Sequence, residues 1–288
     1  MFFRHLLPAP LLFLLGLLVV GCTRNPSQHL SRLTVGVVSY DNDPTVVAKY
    51  ERFRTYLAQQ TKTVVELEPV FNEIKAVEQV QRQNWSLVFA PPGLAAIAIN
   101  KSQYIPLFPM QDALNVRSVI VVKAESQIKT FRDLAYQVMA LGEPGSAAGY
   151  YLPLYDLYGL TLQEVRFAPT PKTVLAWISD ATVAAGALSD QELQRYRHEF
   201  RETDFRILHT SRLIPPGVVL LGPTVERNQQ QQIERAMQTA PANITSDAGY
   251  IPNGKLPNYE QFTQLVERVS PLETQIRQKP AVLLGDDM

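Results

Sequence analysis

Leu33-Thr34-Val35-Gly36-Val37-Val38, followed after a short polar turn by Asp43-Pro44, is the stretch on which the fold turns. Its β-branched residues suit a buried strand. Asp43 and Pro44 read as a helix N-cap with proline in the first helical position, and Val46, Tyr50, Phe53 and Leu57 then recur at helical spacing along one face. The alternation continues: residues 63–70 read as a strand, 73–83 as a helix and 86–90 as a strand. Pro91-Pro92-Gly93 stops that strand before an alanine-rich helical stretch. Repeated β-α-β units of this kind predict an α/β protein with a mostly parallel sheet covered by helices.

From Ser118 the pattern starts again. Residues 119–122, 138–141, 165–168 and 183–188 read as strands, with a short helix at 130–136 and another after Ser146. Thr170-Pro171 opens a further helix, and Ser189 with Glu192 makes a capping-box signature. A strand at 205–208 leaves this second unit, and Ile214-Pro215-Pro216-Gly217 leads to a strand at 218–221. Helices follow at 224–239 and 259–276, and residues 281–288 read as a loose end.

The N-terminus carries a different signal. Arg4, an apolar run over residues 11–20, and small Gly21 before Cys22 form a secretory signal, too short and wrongly flanked for a transmembrane anchor. It resembles the lipobox of bacterial lipoproteins, which implies a signal peptide over 1–21, lipid on Cys22 and a polar tether over 22–32. An uncleaved apolar helix is the competing reading. The chain has one cysteine, so no intrachain disulfide, CxxC pair or cysteine-rich zinc site can form.

Charge narrows the partners. The 27 basic and 27 acidic residues cancel, and removing residues 1–21 takes away Arg4 alone, leaving one net negative charge. Without a basic run there is no electrostatic footprint for nucleic acid. Neither His198 nor His209 has a metal-ligand spacing to another histidine, so no metal site is expected. No Gly-x-Ser-x-Gly elbow or Gly-Lys-Ser/Thr phosphate loop is present, and no catalytic residues or cofactor are expected.

Three segments together, residues 33–38, Ser86-Leu87-Val88-Phe89-Ala90-Pro91, and Gly142-Glu143-Pro144-Gly145-Ser146-Ala147-Ala148-Gly149 with Pro153 behind it, resemble the phosphate, phosphite and phosphonate-binding subunits of ABC importers. The resemblance spans roughly residues 33–221. It implies a two-lobe periplasmic-binding-protein type II fold. Lobe 1 would comprise 33–116 plus 211–276, lobe 2 residues 117–210, and a C-terminal tail 277–288. The crossovers would lie near 115–117 and 210–213. It implies an extracytoplasmic, lipid-anchored monomer that closes on a small ligand by hinge motion and delivers it to an ABC permease. A sensory or scaffold lipoprotein that keeps the fold without transport is the alternative.

The expected ligand site combines Ser39 and Tyr40 at the end of the first strand, Pro91, the helix start Ser146, Ala147, Ala148 and Gly149, and Thr170 and Lys172 of the later helix. Strand ends are where an α/β sheet places its crevice, and a helix start offers unpaired N–H groups to an anion. Ser146 equally serves as an ordinary cap, Tyr40 as packing and Lys172 as a solvated residue. The sequence departs from the family it resembles: Ser-Ala-Ala-Gly stands where Ser-Thr-Ser-Gly is typical, and Pro169-Thr170-Pro171 replaces a Gly-Ser-His-like approach. Ala184 takes an acidic position, and Leu94 falls near an expected tyrosine. The resemblance implies a phosphonate- or phosphate-like oxyanion as ligand, whereas the depleted hydroxyl shell points to a less charged molecule or a much looser site.

Overall fold

The computed structural model describes Met1 and residues 31–38, 44–111 and 115–284. The expected signal peptide, Cys22, Ser39 and Tyr40 lie outside the described residues. Among those described, no helix is long and apolar enough to cross a membrane.

The chain runs β1 (Arg32–Val38), α1 (Pro44–Thr61), β2 (Val64–Val70), α2 (Glu73–Gln81), β3 (Leu87–Ala90), α3 (Pro92–Ser102) and β4 (Ile105–Pro109). It continues with β5 (Arg117–Lys123), β6 (Val138–Leu141), α4 (Leu152–Asp156), β7 (Thr161–Leu162), β8 (Glu164–Phe167), α5 (Pro171–Ser179), β9 (Ala185–Ser189), α6 (Asp190–Tyr196) and β10 (Phe205–Leu213). β11 (Val218–Leu221), α7 (Arg227–Gln238), α8 (Ala242–Ala248), α9 (Glu260–Val269), α10 (Leu272–Gln275) and β12 (Ala281–Val282) complete it.

Two five-stranded sheets result, ordered β2-β1-β3-β11-β4 and β10-β5-β9-β6-β8. The chain passes from the first to the second between β4 and β5 and returns between β10 and β11. As expected, both sheets are mostly parallel in strand direction, and each is made mixed by one strand, β11 or β5, that runs against the other four. β1 pairs in parallel with β2 and β3, but β11 runs antiparallel to β3 and β4. In the second sheet β6 is parallel to β8 and β9, whereas β5 is antiparallel to β9 and β10. Each crossing strand enters its sheet directly, with no crossover helix to turn it parallel.

Alternation along the strands builds three layers of core. On the first sheet, Leu33, Val35, Val37, Leu87 and Phe89 pack beneath α1, where Phe53 and Leu57 are fully buried. Val119, Val121 and Leu188 of the second sheet pack beneath α5 through Val174, Leu175 and Ile178. The opposite faces of both sheets meet in one middle core: Val88 and Ala90 of β3 share it with Ile120, Val122, Met139 and Leu141. Residues 31–288 therefore cluster as one compact unit. Gly36 is dictated by this layering, because a Cβ there would sit 2.2 Å from the buried ring of Trp85.

Three local expectations need correction. Residues 105–109 form a strand that alternation did not predict; two prolines interrupt it, and it survives because it is the edge strand beside β11. The helix expected over 259–276 is broken into α9 and α10 at Ser270-Pro271, where proline can start a helix but not continue one. The loose end is not loose at its beginning: Ala281 and Val282 pair antiparallel with β7, and Ala281 and Leu283 are fully buried in the middle core. Residues 285–288 lie outside the described residues.

Candidate functional site

A cavity of about 580 Å³ opens between the carboxyl ends of β1 and β3 on one side and those of β6 and β9 on the other. Val38 ends β1, and Pro91-Pro92 follows β3 as the start of α3. Met110, Val116 and the segment Ile214-Pro215-Pro216, where the chain passes between sheets, close the same side. Opposite them stand Gly145, Ser146, Ala147 and Ala148, with Ser189, Gln191, Glu192 and Arg195 from the end of β9 and from α6.

The Ser146 start is built by a wide turn. Ser146 caps a π-helical segment, Ala147–Tyr151, whose Tyr150 and Tyr151 N–H groups both donate to the Ser146 carbonyl, at 3.2 and 3.1 Å. Its hydroxyl accepts from the Gly149 N–H at 3.0 Å, and the Ser118 hydroxyl donates to the Ala148 carbonyl at 2.6 Å. The capping role expected as the alternative for Ser146 is therefore filled. The residue still lines the cavity, so capping and lining coexist.

Across the cavity the two sides touch backbone to backbone. A Cβ on Gly93 would lie 2.0 Å from the Gly145 carbonyl oxygen and 2.7 Å from the Ala147 nitrogen, so only glycine permits this approach. Pro91 and Pro92 bring no N–H to the α3 start, and no side chain caps it.

Among the residues expected from sequence, Pro91, Ser146, Ala147 and Ala148 come together in this one cavity. Gly149, Thr170 and Lys172 are outside its lining. Gly149 is buried one residue deeper in the turn. Thr170 caps α5 by accepting from the Thr173 N–H at 3.1 Å, and Lys172 is ion-paired with Glu199. Sequence reasoning missed Gln191, Glu192 and Arg195. The signal was present in the Ser189/Glu192 capping box, which marks a helix starting at a strand's carboxyl end as β1 and β3 do.

Electrostatically the second side carries the charge. The Ser189 N–H donates to Glu192 Oε2 at 2.8 Å, and the Glu192 N–H donates to the Ser189 hydroxyl at 3.1 Å. Burial pushes the Glu192 carboxyl up, against the downward pull of these Ser189 hydrogen bonds and of Arg195. Among the described residues, no group of three or more His, Cys, Asp or Glu is placed to hold a metal ion.

Two mixed sheets flanked by helices, crossed twice by the chain and enclosing a cavity at their strand ends, define a type II periplasmic binding protein. The chain belongs to the ABC-transporter phosphonate periplasmic substrate-binding protein family, whose model matches residues 35–251. It is thus the extracytoplasmic substrate-binding component of an ABC transporter, with a small-molecule ligand and a permease partner, in a family of binding proteins rather than enzymes.

Solved structures share the fold at low identity. XAC2383 from Xanthomonas citri, bound to ATP, is 17% identical with a TM-score of 0.68, over 83% of this chain and 98% of that one. PhnD1 from Prochlorococcus marinus (MIT 9301), in complex with methylphosphonate, is 16% identical with a TM-score of 0.63, over 83% and 98%. A binding protein component of an ABC phosphonate transporter from Pseudomonas aeruginosa (PA3383) is 14% identical with a TM-score of 0.60, over 77% and 80%. No curated protein sequence matches the chain.

Proposed function

We propose that this substrate-binding protein is a monomeric lipoprotein anchored through Cys22, and that its two lobes, 33–116 with 211–276 and 117–210, hold a small ligand less charged than a phosphonate dianion. The supporting observation is the composition of the cavity. Pro91, Pro92, Pro215 and Pro216 line it with Val38, Met110, Val116 and Ile214, and on the 145–148 segment Ser146 supplies the one side-chain hydroxyl, which accepts from the Gly149 N–H and keeps its O–H to donate. Prolines lack an N–H, and alanines 147 and 148 offer backbone groups alone. A hydrogen bond to a charged group is worth about 1.5–3 kcal/mol, so a dianion deprived of several loses orders of magnitude in affinity.

Calorimetry tests the ligand class. The unmodified protein is expected to bind methylphosphonate weakly, and Ala147→Thr with Ala148→Ser to tighten it about tenfold, equivalent to about 1.4 kcal/mol. Tight binding by the unmodified protein refutes the depleted site; no gain in the double variant counts against the cavity. For the anchor, Cys22→Ala should move the protein from the membrane to the soluble fraction, because each buried acyl methylene contributes about 0.8 kcal/mol of membrane affinity. Retention without lipid on the N-terminus would refute it.

A sensory or scaffold role is the second reading, and the middle core favours it. α9 joins the apolar core with α3 of the first sheet's side and with α4 of the second's. Opening the lobes would expose that surface, at about 25 cal/mol per Å². Small-angle scattering with and without ligand separates the readings: a transport cycle by hinge motion predicts compaction on binding, whereas a scaffold predicts none.

A further inference from the structure

We infer that the ligand of this cavity is an amphiphile, with an apolar body of several carbons lying between the proline side and the methyls of Ala147 and Ala148, and one hydrogen-bond-accepting head group at the mouth. This rests on the reading of the cavity as the ligand site.

Size is the first argument. The cavity holds about 580 Å³. Sites of roughly 300–1,000 Å³ enclose drug-sized molecules, so an oxyanion as compact as methylphosphonate would reach one side and leave the other to water. The surface left wet would be apolar. Val38 and Val116 pack against the middle core and Met110 against the core beneath α1, yet all three are only half-buried and all three line the cavity. Ile214 adds aliphatic surface from the segment that passes between the sheets, and the four prolines beside it bring no N–H. Opposite them the side chains of Ala147 and Ala148 are methyls. Each methylene moved from water onto surface of this kind strengthens binding by up to about fourfold.

The polar groups collect elsewhere on the lining. The Ser146 hydroxyl accepts from the Gly149 N–H at 3.0 Å and keeps its O–H to donate. Gln191 and Arg195 line the cavity from exposed positions on α6 and carry side-chain N–H donors. A head group beside them stays in contact with water while its apolar body is desolvated, so the cost of burying a charge is avoided. Glu192 on the same side is tied to the Ser189 N–H at 2.8 Å, and burial favours its uncharged form, so it does not stand against a singly charged head.

Titration calorimetry with acetate, butanoate, hexanoate and octanoate tests the apolar body while the head stays constant. Affinity is expected to rise about two- to fourfold per added methylene and to level off once the cavity is filled. A flat series overturns the inference. Ala147→Thr with Ala148→Ser should weaken octanoate about tenfold while tightening methylphosphonate, and equal shifts of both probes in one direction also overturn it. Gln191→Trp, which narrows the mouth from an exposed position, keeps the two readings distinguishable. If it abolishes octanoate binding although the wild-type series is flat, the cavity stands and the amphiphile falls. If the series rises and Gln191→Trp leaves it untouched, the apolar site is not this cavity and both readings fall. Failure of every carboxylate to bind the wild type at about 10 mM overturns the amphiphile, and the cavity is then judged by the methylphosphonate gain in the double variant.

Discussion

The two sides of the cavity are made from similar materials and to opposite effect. Both are loops at the carboxyl ends of strands that lead into helices, but the side from β3 and the crossing segments presents proline and aliphatic surface. The side from β6 and β9 presents a capped wide turn and the charged start of α6. Proline at a helix start fixes the backbone and removes donors. Serine at a helix start keeps the donors and orders them through its hydroxyl. One side of the cavity is thus mainly apolar surface while the other carries its polar and charged groups.

The most damaging way to break this arrangement is to push the sides apart. Gly93→Val is expected to cost about 3 kcal/mol or more in urea unfolding, because its Cβ would meet the Gly145 carbonyl at 2.0 Å and both partners are backbone. Were the sides free of each other, Gly93→Ala would stabilise α3 by about 0.8–1 kcal/mol instead, so the sign of that smaller change decides whether they touch.

Next in size is the C-terminal tie. Leu283 is fully buried in the core shared by both sheets, and Leu283→Ala should cost about 2–5 kcal/mol in the same assay. A loss below about 0.5 kcal/mol, the size of an ordinary surface substitution, would show that the segment after α10 does not hold the second sheet's side. A smaller effect is expected on the charged side itself. Ser146→Ala removes the hydroxyl that accepts from the Gly149 N–H at 3.0 Å, costing about 1 kcal/mol, while Pro91→Ala, with no cap to lose, should cost less.

The smallest effect is a pH dependence. The folded Glu192 carboxyl sits above its unfolded value, so between those two values the native state binds more protons than the unfolded state. Its contribution therefore falls as pH rises from about 4.3 towards the folded value and stays low above it. Asp156 is raised by burial too and acts in the same direction, so Glu192→Gln should flatten part of this decline and leave the rest. Unfolding midpoints measured across that window for both proteins check the sign, and a wild-type stability that climbs through it would contradict the burial of both carboxyls.

Local residue patterns were enough for much of the fold. β1 through α2, the restart at β5, and the caps at Thr170 and Ser189 follow from periodicity and capping chemistry, which act within a few residues. The same locality let Pro91, Ser146, Ala147 and Ala148 be grouped from sequence as the neighbours that line one cavity, since each sits just beyond a readable strand. What depends on distant partners was not legible. Nothing in Ile105-Pro106-Leu107-Phe108-Pro109 announces a strand until β11 lies beside it, and Ala281-Val282 has no strand pattern of its own apart from pairing with β7.

Sequence alone therefore determined the α/β class, the doubling of the unit and the lack of side-chain hydroxyls at residues 147 and 148 in the turn after β6. Tertiary structure decided that both sheets are mixed, that their inner faces share one core, and that α6 faces the cavity with Glu192 and Arg195 while α5 turns Thr170 and Lys172 away from it. The physical reason is the order β10-β5-β9-β6-β8. It places β9 at the centre of its sheet and β8 at the edge, so the helix after β9 opens into the cavity and the helix after β8 does not. Strand order is settled by pairings between residues far apart in the chain, and no local pattern encodes it.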